Sequence, residues 1–203
     1  MGLPIEFRRS GEGAVASYDW FDFASGAGYK RYYCAGAYET TNPKYFLTTN
    51  SNIDGDYDNL SISTSSDLDF DITFNTPLTI AGADAIFNWT IYLVNAAATS
   101  SVAINVYHVT SGGTETSIGT ATSKTFTASG AGYIRQCLKF GLTQKSFGVG
   151  EKLRINVIWT ETDASANIRL FFDPASRQSV TEGGTGATIT TDFTCDIPFR
   201  IDL

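Results

Sequence analysis

Residues 133–161 constrain the fold more than any other stretch, because their apolar positions alternate. In 152–161, Leu153, Ile155, Val157 and Trp159 fall at every second position, with Lys152, Arg154, Asn156 and Thr160 between them. A period of two sends one set to a buried face and the other to water, which is the behaviour of a strand. Upstream, Ile134, Leu138, Phe140 and Leu142 share one parity, and Tyr133, Arg135 and Lys139 take the other. Gly148, Val149 and Gly150 supply a turn. The stretch therefore predicts two strands joined as a hairpin.

The rest of the chain repeats this grammar. Strands are expected at 29–38 and 44–49, separated by Asn42-Pro43, and at 67–74, 85–94 and 102–109. Further strands are expected at 115–127, 167–172, 187–195 and 199–203. In 67–74 the apolar Leu68, Phe70, Ile72 and Phe74 alternate with Asp67, Asp69, Asp71 and Thr73, so the carboxylates face water and repel one another. In 85–94 both parities are apolar, as in a central strand. Ser111-Gly112-Gly113 marks a hairpin. No stretch has helical periodicity. About ten short strands with Gly-rich turns predict an all-β chain: an antiparallel β-sandwich, of jelly-roll type, over 24–203. Residues 1–23 read as an extended N-terminal arm with an aromatic docking patch. Leu3, Ile5 and Phe7 alternate as in a short strand, and Tyr18, Trp20, Phe21 and Phe23 follow. The hexapeptide Ala-Ser-Gly-Ala-Gly-Tyr occurs at 24–29 and again at 128–133, each time followed by an arginine, Arg31 or Arg135. Duplication and convergence on a convenient turn both account for it.

Composition narrows the function classes. The chain has 203 residues, enough to bury a large core without disulfides. Its net charge of −7 disfavours direct binding to nucleic acid. No run is long and apolar enough for a membrane span, and residues 1–10 lack the core of a signal peptide, so a product made in a cytosol is expected. Cys34, Cys137 and Cys195 are widely spaced and odd in number, which favours buried thiols over a disulfide or a zinc site.

Chemistry-bearing constellations are sparse. His108, the single histidine, continues the parity of Val102, Ile104 and Val106 and reads as a satisfied or edge residue, with no nucleophile elbow near any serine. Glu161 and Glu39 are the acids best placed for a glycosidase pair, a reading that sequence spacing cannot support. Asp54, Asp56 and Asp58 have calcium-loop spacing, but Asn59 and Ser65 replace the Gly and Glu that an EF-hand requires. That loop reads as a solvated acidic turn, with a looser calcium site as the alternative. No cofactor and no catalytic set is expected.

The phrase Phe147-Gly148-Val149-Gly150-Glu151-Lys152-Leu153-Arg154-Ile155 is similar to the turn and last strand of many jelly-roll modules. With its arm and its Thr/Ser/Gly-rich strands, the chain resembles small structural proteins of tailed viruses, the capsid decoration or cement type. The resemblance implies a non-enzymatic virion protein of a bacteriophage, a homo-oligomer such as a trimer, bound to the major capsid protein or other virion subunits. Arg8, Arg9, Tyr18, Trp20 and Phe21 would make the contact. The alternative is a carbohydrate- or receptor-binding module with Trp20 and Tyr57 as its stacking platform.

Overall fold

A computed structural model describes residues 16–17, 27–37, 44–53, 59–62, 66–93, 99–127, 132–161, 168–177, 180–181 and 186–200. The first strands are β1 (Ala16–Ser17), β2 (Ala27–Ala37), β3 (Lys44–Thr48), β4 (Asn59–Ile62), β5 (Ser66–Thr73) and β6 (Leu78–Ile80). Next come β7 (Asp84–Leu93), β8 (Thr99–Val109), β9 (Glu115–Thr122), β10 (Phe126–Thr127), β11 (Gly132–Gly141) and β12 (Lys145–Phe147). The last are β13 (Lys152–Glu161), β14 (Ile168–Phe171), β15 (Val180–Thr181), β16 (Thr188–Ile189) and β17 (Phe193–Arg200). The chain is all-β, and no helix occurs among the described residues.

Nine strands follow one another side by side in the order β9-β8-β13-β5-β3-β2-β17-β7-β11, a nearly closed, mixed, barrel-like sheet. Neighbours are antiparallel except β3 and β5, which meet in parallel through a single bridge, Phe46 opposite Asp71. The sheet curls, as ring positions show. Phe70 on β5 and Phe193 on β17 are three strand spacings apart, about 14 Å in a flat sheet. Their ring centroids are 6.2 Å apart. Inward residues from all round the ring therefore meet in one core: Val102, Ile104, Leu153, Ile155, Val157, Phe70, Phe87, Trp89, Ile91, Phe193 and Cys195. Trp159 and Trp89 are fully buried. Side chains of this size contribute about 1.5–3 kcal/mol each on burial.

The ring is incomplete between β9 and β11. β9 pairs with β8 and β11 with β7, and neither pairs with the other. The two are pinned together where the middle of β9 meets the residues just after β11: the Thr143 amide donates to the Ile118 carbonyl at 2.7 Å. Gly119 permits this approach, because a Cβ there would lie 2.5 Å from Leu142 Cδ2 and 3.1 Å from Phe140. We call this gap the seam.

The alternation read from 152–161 holds, with Leu153, Ile155, Val157 and Trp159 all fully buried on β13. The hairpin expected there does not form. Both edges of β13 are taken, by β5 and β8, while β11 pairs with β7. The intervening residues instead form β12, which pairs with β6. The expected break before 199–203 is also absent, since β17 runs through Pro198. The missing N–H is tolerated because β17 changes neighbours there, from β7 at Asp196 to β6 at Phe199. The hairpin at 111–113 is present, with Gly113 at φ 87° and its amide donating to the Thr110 carbonyl.

Candidate functional site

The residues singled out for partner contact, Arg8, Arg9, Tyr18, Trp20 and Phe21, lie outside the described residues, as do Asp54, Asp56, Tyr57, Asp58 and Glu39. Glu161 closes β13 opposite Ser100. The chemistry the structure does describe gathers in three places.

The first is the turn before β13. His108 is buried, and its Nε2 lies 2.9 Å from Glu151 Oε2. The same carboxylate oxygen accepts from the Gly148 amide at 2.6 Å. Gly150 adopts φ 83°, and its amide donates to the Phe74 carbonyl while Phe74 donates back to Glu151. The two hydrogen bonds from Gly148 and His108 hold the Glu151 carboxyl below its ordinary range. The ring of His108 stands edge-on to Phe147 with centroids 4.9 Å apart. Its Nδ1 is buried without a hydrogen-bond partner. A catalytic dyad places a nucleophile on the ring nitrogen that the carboxylate leaves free. Here that nitrogen faces none, and the pair acts as a clamp on the turn.

The second is the outer face of β9, β8, β13 and β5. Arg154 grips the directly opposite Asp71 through Nε and Nη2, at 2.7 and 2.8 Å. It also reaches Asp69 at 2.9 Å and Glu115 at 2.6 Å. These carboxylates raise the guanidinium pKa further, the bond to Asp71 foremost. Beside it runs a directional chain: Thr120 donates to Asn105 at 2.5 Å, and Asn105 donates to Asn156 at 2.9 Å. Asn156 then donates to both Asp67 and Asp69. The mutual repulsion expected of the three aspartates is thus corrected by donors from the neighbouring strand. Spacing along β5 could not reveal them, because register decides which residues meet.

The third is the junction where the edge of β7 passes from β17 to β14. Arg135 Nη1 donates there to the Thr90 hydroxyl, to the carbonyls of Thr190 and Asp192, and to Asp192 Oδ1, at 2.9–3.2 Å. Arg31 grips Asp196 with two bonds of 2.7 and 2.8 Å. The two arginines that follow the repeated hexapeptide therefore anchor the beginning and the middle of one strand, β17.

Cys34, Cys137 and Cys195 are all free thiols. Cys34 and Cys195 are fully buried with sulfurs 3.7 Å apart, and burial raises the Cys34 pKa well above normal. They are diagonal rather than opposite, since Cys34 faces Phe193 and Cys195 faces Tyr32. Such positions are about 7–8 Å apart at Cα, beyond the usual disulfide span. Among the described residues no three His, Cys, Asp or Glu side chains converge as a metal site, and no helix is long and apolar enough to cross a membrane.

No family model and no curated protein matches the chain. Among solved structures it is similar to a CocE/NonD family hydrolase from Staphylococcus aureus, with TM-score 0.45 and 10% identity over 85% of this chain and 37% of that one. It is similar to an α-amino acid ester hydrolase, with TM-score 0.41 and 13% identity over 66% of this chain and 25% of that one. A structure of infectious bursal disease virus, Gx strain, gives TM-score 0.23 and 10% identity over 83% of this chain and 42% of that one. The match covers less than half of each of these three proteins.

Proposed function

We propose that this chain is a non-enzymatic structural protein of a virion, a decoration or cement protein that binds the capsid shell as a homo-oligomer through residues 1–23. In this reading the curled sheet derives from a jelly-roll sandwich, with β8-β13-β5 and β2-β17-β7 as its two layers. The observation that supports it is how the charged side chains are used. Arg31, Arg135, Arg154 and Lys139 are each tied to an aspartate on a neighbouring element. His108 is tied to a turn. Side chains used this way stiffen a scaffold and leave its termini and edges for contact. Many copies then multiply modest contacts by avidity. Co-sedimentation with assembled capsids tests the proposal. The full chain pellets with capsids and a chain lacking residues 1–23 stays in the supernatant; a monomer that never pellets would overturn it.

A carbohydrate-binding role is favoured by one feature. Tyr92 and Tyr133 lie opposite each other on the outer face of β7 and β11, both half-buried, with centroids 4.6 Å apart and Arg169 next in register. A glycan array reads it directly: binding that disappears in Tyr133→Ala supports this role, and an empty array removes it.

A further inference from the structure

We infer that Tyr92, Tyr133 and Arg169 form a binding site for an acidic glycan, a pyranose whose ring carries a carboxylate. The inference rests on the carbohydrate-binding reading above and names its class of sugar. The site is a row across three strands. Arg169 on β14 lies opposite Tyr92 on β7, and Tyr92 lies opposite Tyr133 on β11. All three take the outer face, because the residues next to them, Leu170, Ile91 and Ile134, turn to the core. Two strand spacings separate the ends of the row, about 10 Å, a span that one or two pyranose rings cover.

Charge specifies the ligand. The chain carries a net charge of −7, and most of its described arginines are already used: Arg31, Arg135, Arg154 and Arg177 each pair with an aspartate. Arg169 is exposed and has no carboxylate partner among the described residues. Arg200 lacks one too, but it ends β17 opposite Ala27, away from this row. Two residues along β11 from Tyr133, Arg135 holds Asp192, so that acid does not compete for Arg169. A guanidinium left unpaired in an acidic protein is a planar fork that fits a carboxylate with two parallel hydrogen bonds.

The rings supply the sugar contact. Tyr133 packs against Tyr92 at 4.6 Å and against the buried Phe171 at 5.6 Å between centroids. The pair is therefore held in place before any ligand arrives, which lowers the ordering entropy that binding costs. The C–H groups of a pyranose pack on such rings while its hydroxyls stay hydrated. Directly opposite residues on neighbouring strands have Cβ atoms about 5 Å apart, so a sugar resting on Tyr92 brings a ring carboxylate to Arg169. A neutral sugar uses the rings alone and leaves the guanidinium to water.

Isothermal titration calorimetry on the full chain tests this with two pairs of probes. A galacturonic acid trimer against galactotriose reads a uronic acid source, and sialyllactose against lactose reads a sialic acid source. In at least one pair the acid is expected to bind roughly ten- to a hundredfold more tightly than its neutral counterpart. Arg169→Gln, a change at an exposed position, removes that preference with the thermal midpoint unchanged. Arg200→Gln, which removes the same charge elsewhere, keeps it. Equal affinity for acid and neutral sugar, or a preference that survives Arg169→Gln, overturns the inference. Equal affinities that both vanish in Tyr133→Ala leave the broader carbohydrate-binding reading standing. No binding of any of the four probes overturns the inference as well, and the glycan array then decides the broader reading by itself.

Discussion

Three carboxylates, Asp69, Asp71 and Glu115, converge on the guanidinium of Arg154, and all four groups are partly shielded from water. Replacing it with methionine keeps the apolar stem and leaves the carboxylates facing one another. Arg154→Met is expected to destabilise the fold by about 1–3 kcal/mol at pH 7, read as a lowered urea midpoint. Glu151 makes a pH prediction with a definite sign. Its folded pKa lies below the ordinary 4.5, so its clamp contributes stability above that value and loses it as pH falls through the folded pKa. Glu151→Gln should flatten the acid limb of a stability–pH curve below about pH 4.5, while wild type retains the slope. The cysteines separate by exposure. In the native protein a thiol reagent should modify Cys137 alone, and all three should react after denaturation.

At the level of elements, the side chains say which face of a strand is buried and stay silent about which strand lies beside it. Alternation in 152–161 identified β13 and its inward residues, because burial on one face leaves a period of two in the residues themselves. The partners of β13 are set by register with strands dozens of residues away, so the hairpin expected from Gly148-Val149-Gly150 gave way to β12. Arg154 and Arg135 were visible as polar positions on strands. Their roles depend on Asp71 and Asp192, which no local window contains. The candidate partner-binding residues fall outside the alternating core pattern and outside the described residues. Gly119 illustrates a constraint that only packing exposes. Gly119→Ala is expected to cost about 1–3 kcal/mol, because the added methyl meets Leu142 and Phe140. Hydrogen exchange should then rise first at Thr143, whose amide bond to Ile118 pins the seam.

For the whole molecule, the order of strands in space differs sharply from their order in the chain. β17 lies between β2 and β7, so the last strand fills a central place beside one of the first. A chain truncated after residue 192 should show no cooperative unfolding transition and no dispersed amide spectrum, whereas loss of residues 1–15 should leave the transition intact. Long-range closure of this kind also predicts folding on the millisecond-to-second scale or slower. The parallel joint of β3 and β5 carries a further consequence. It rests on a single bridge and stands across the ring from the open gap, so the cylinder has a hinge facing a latch. Pulled apart, the molecule would part like a book along that spine, one cover carrying β9, β8, β13 and β5 and the other carrying the rest, with Phe70 and Phe193 the pages last to separate.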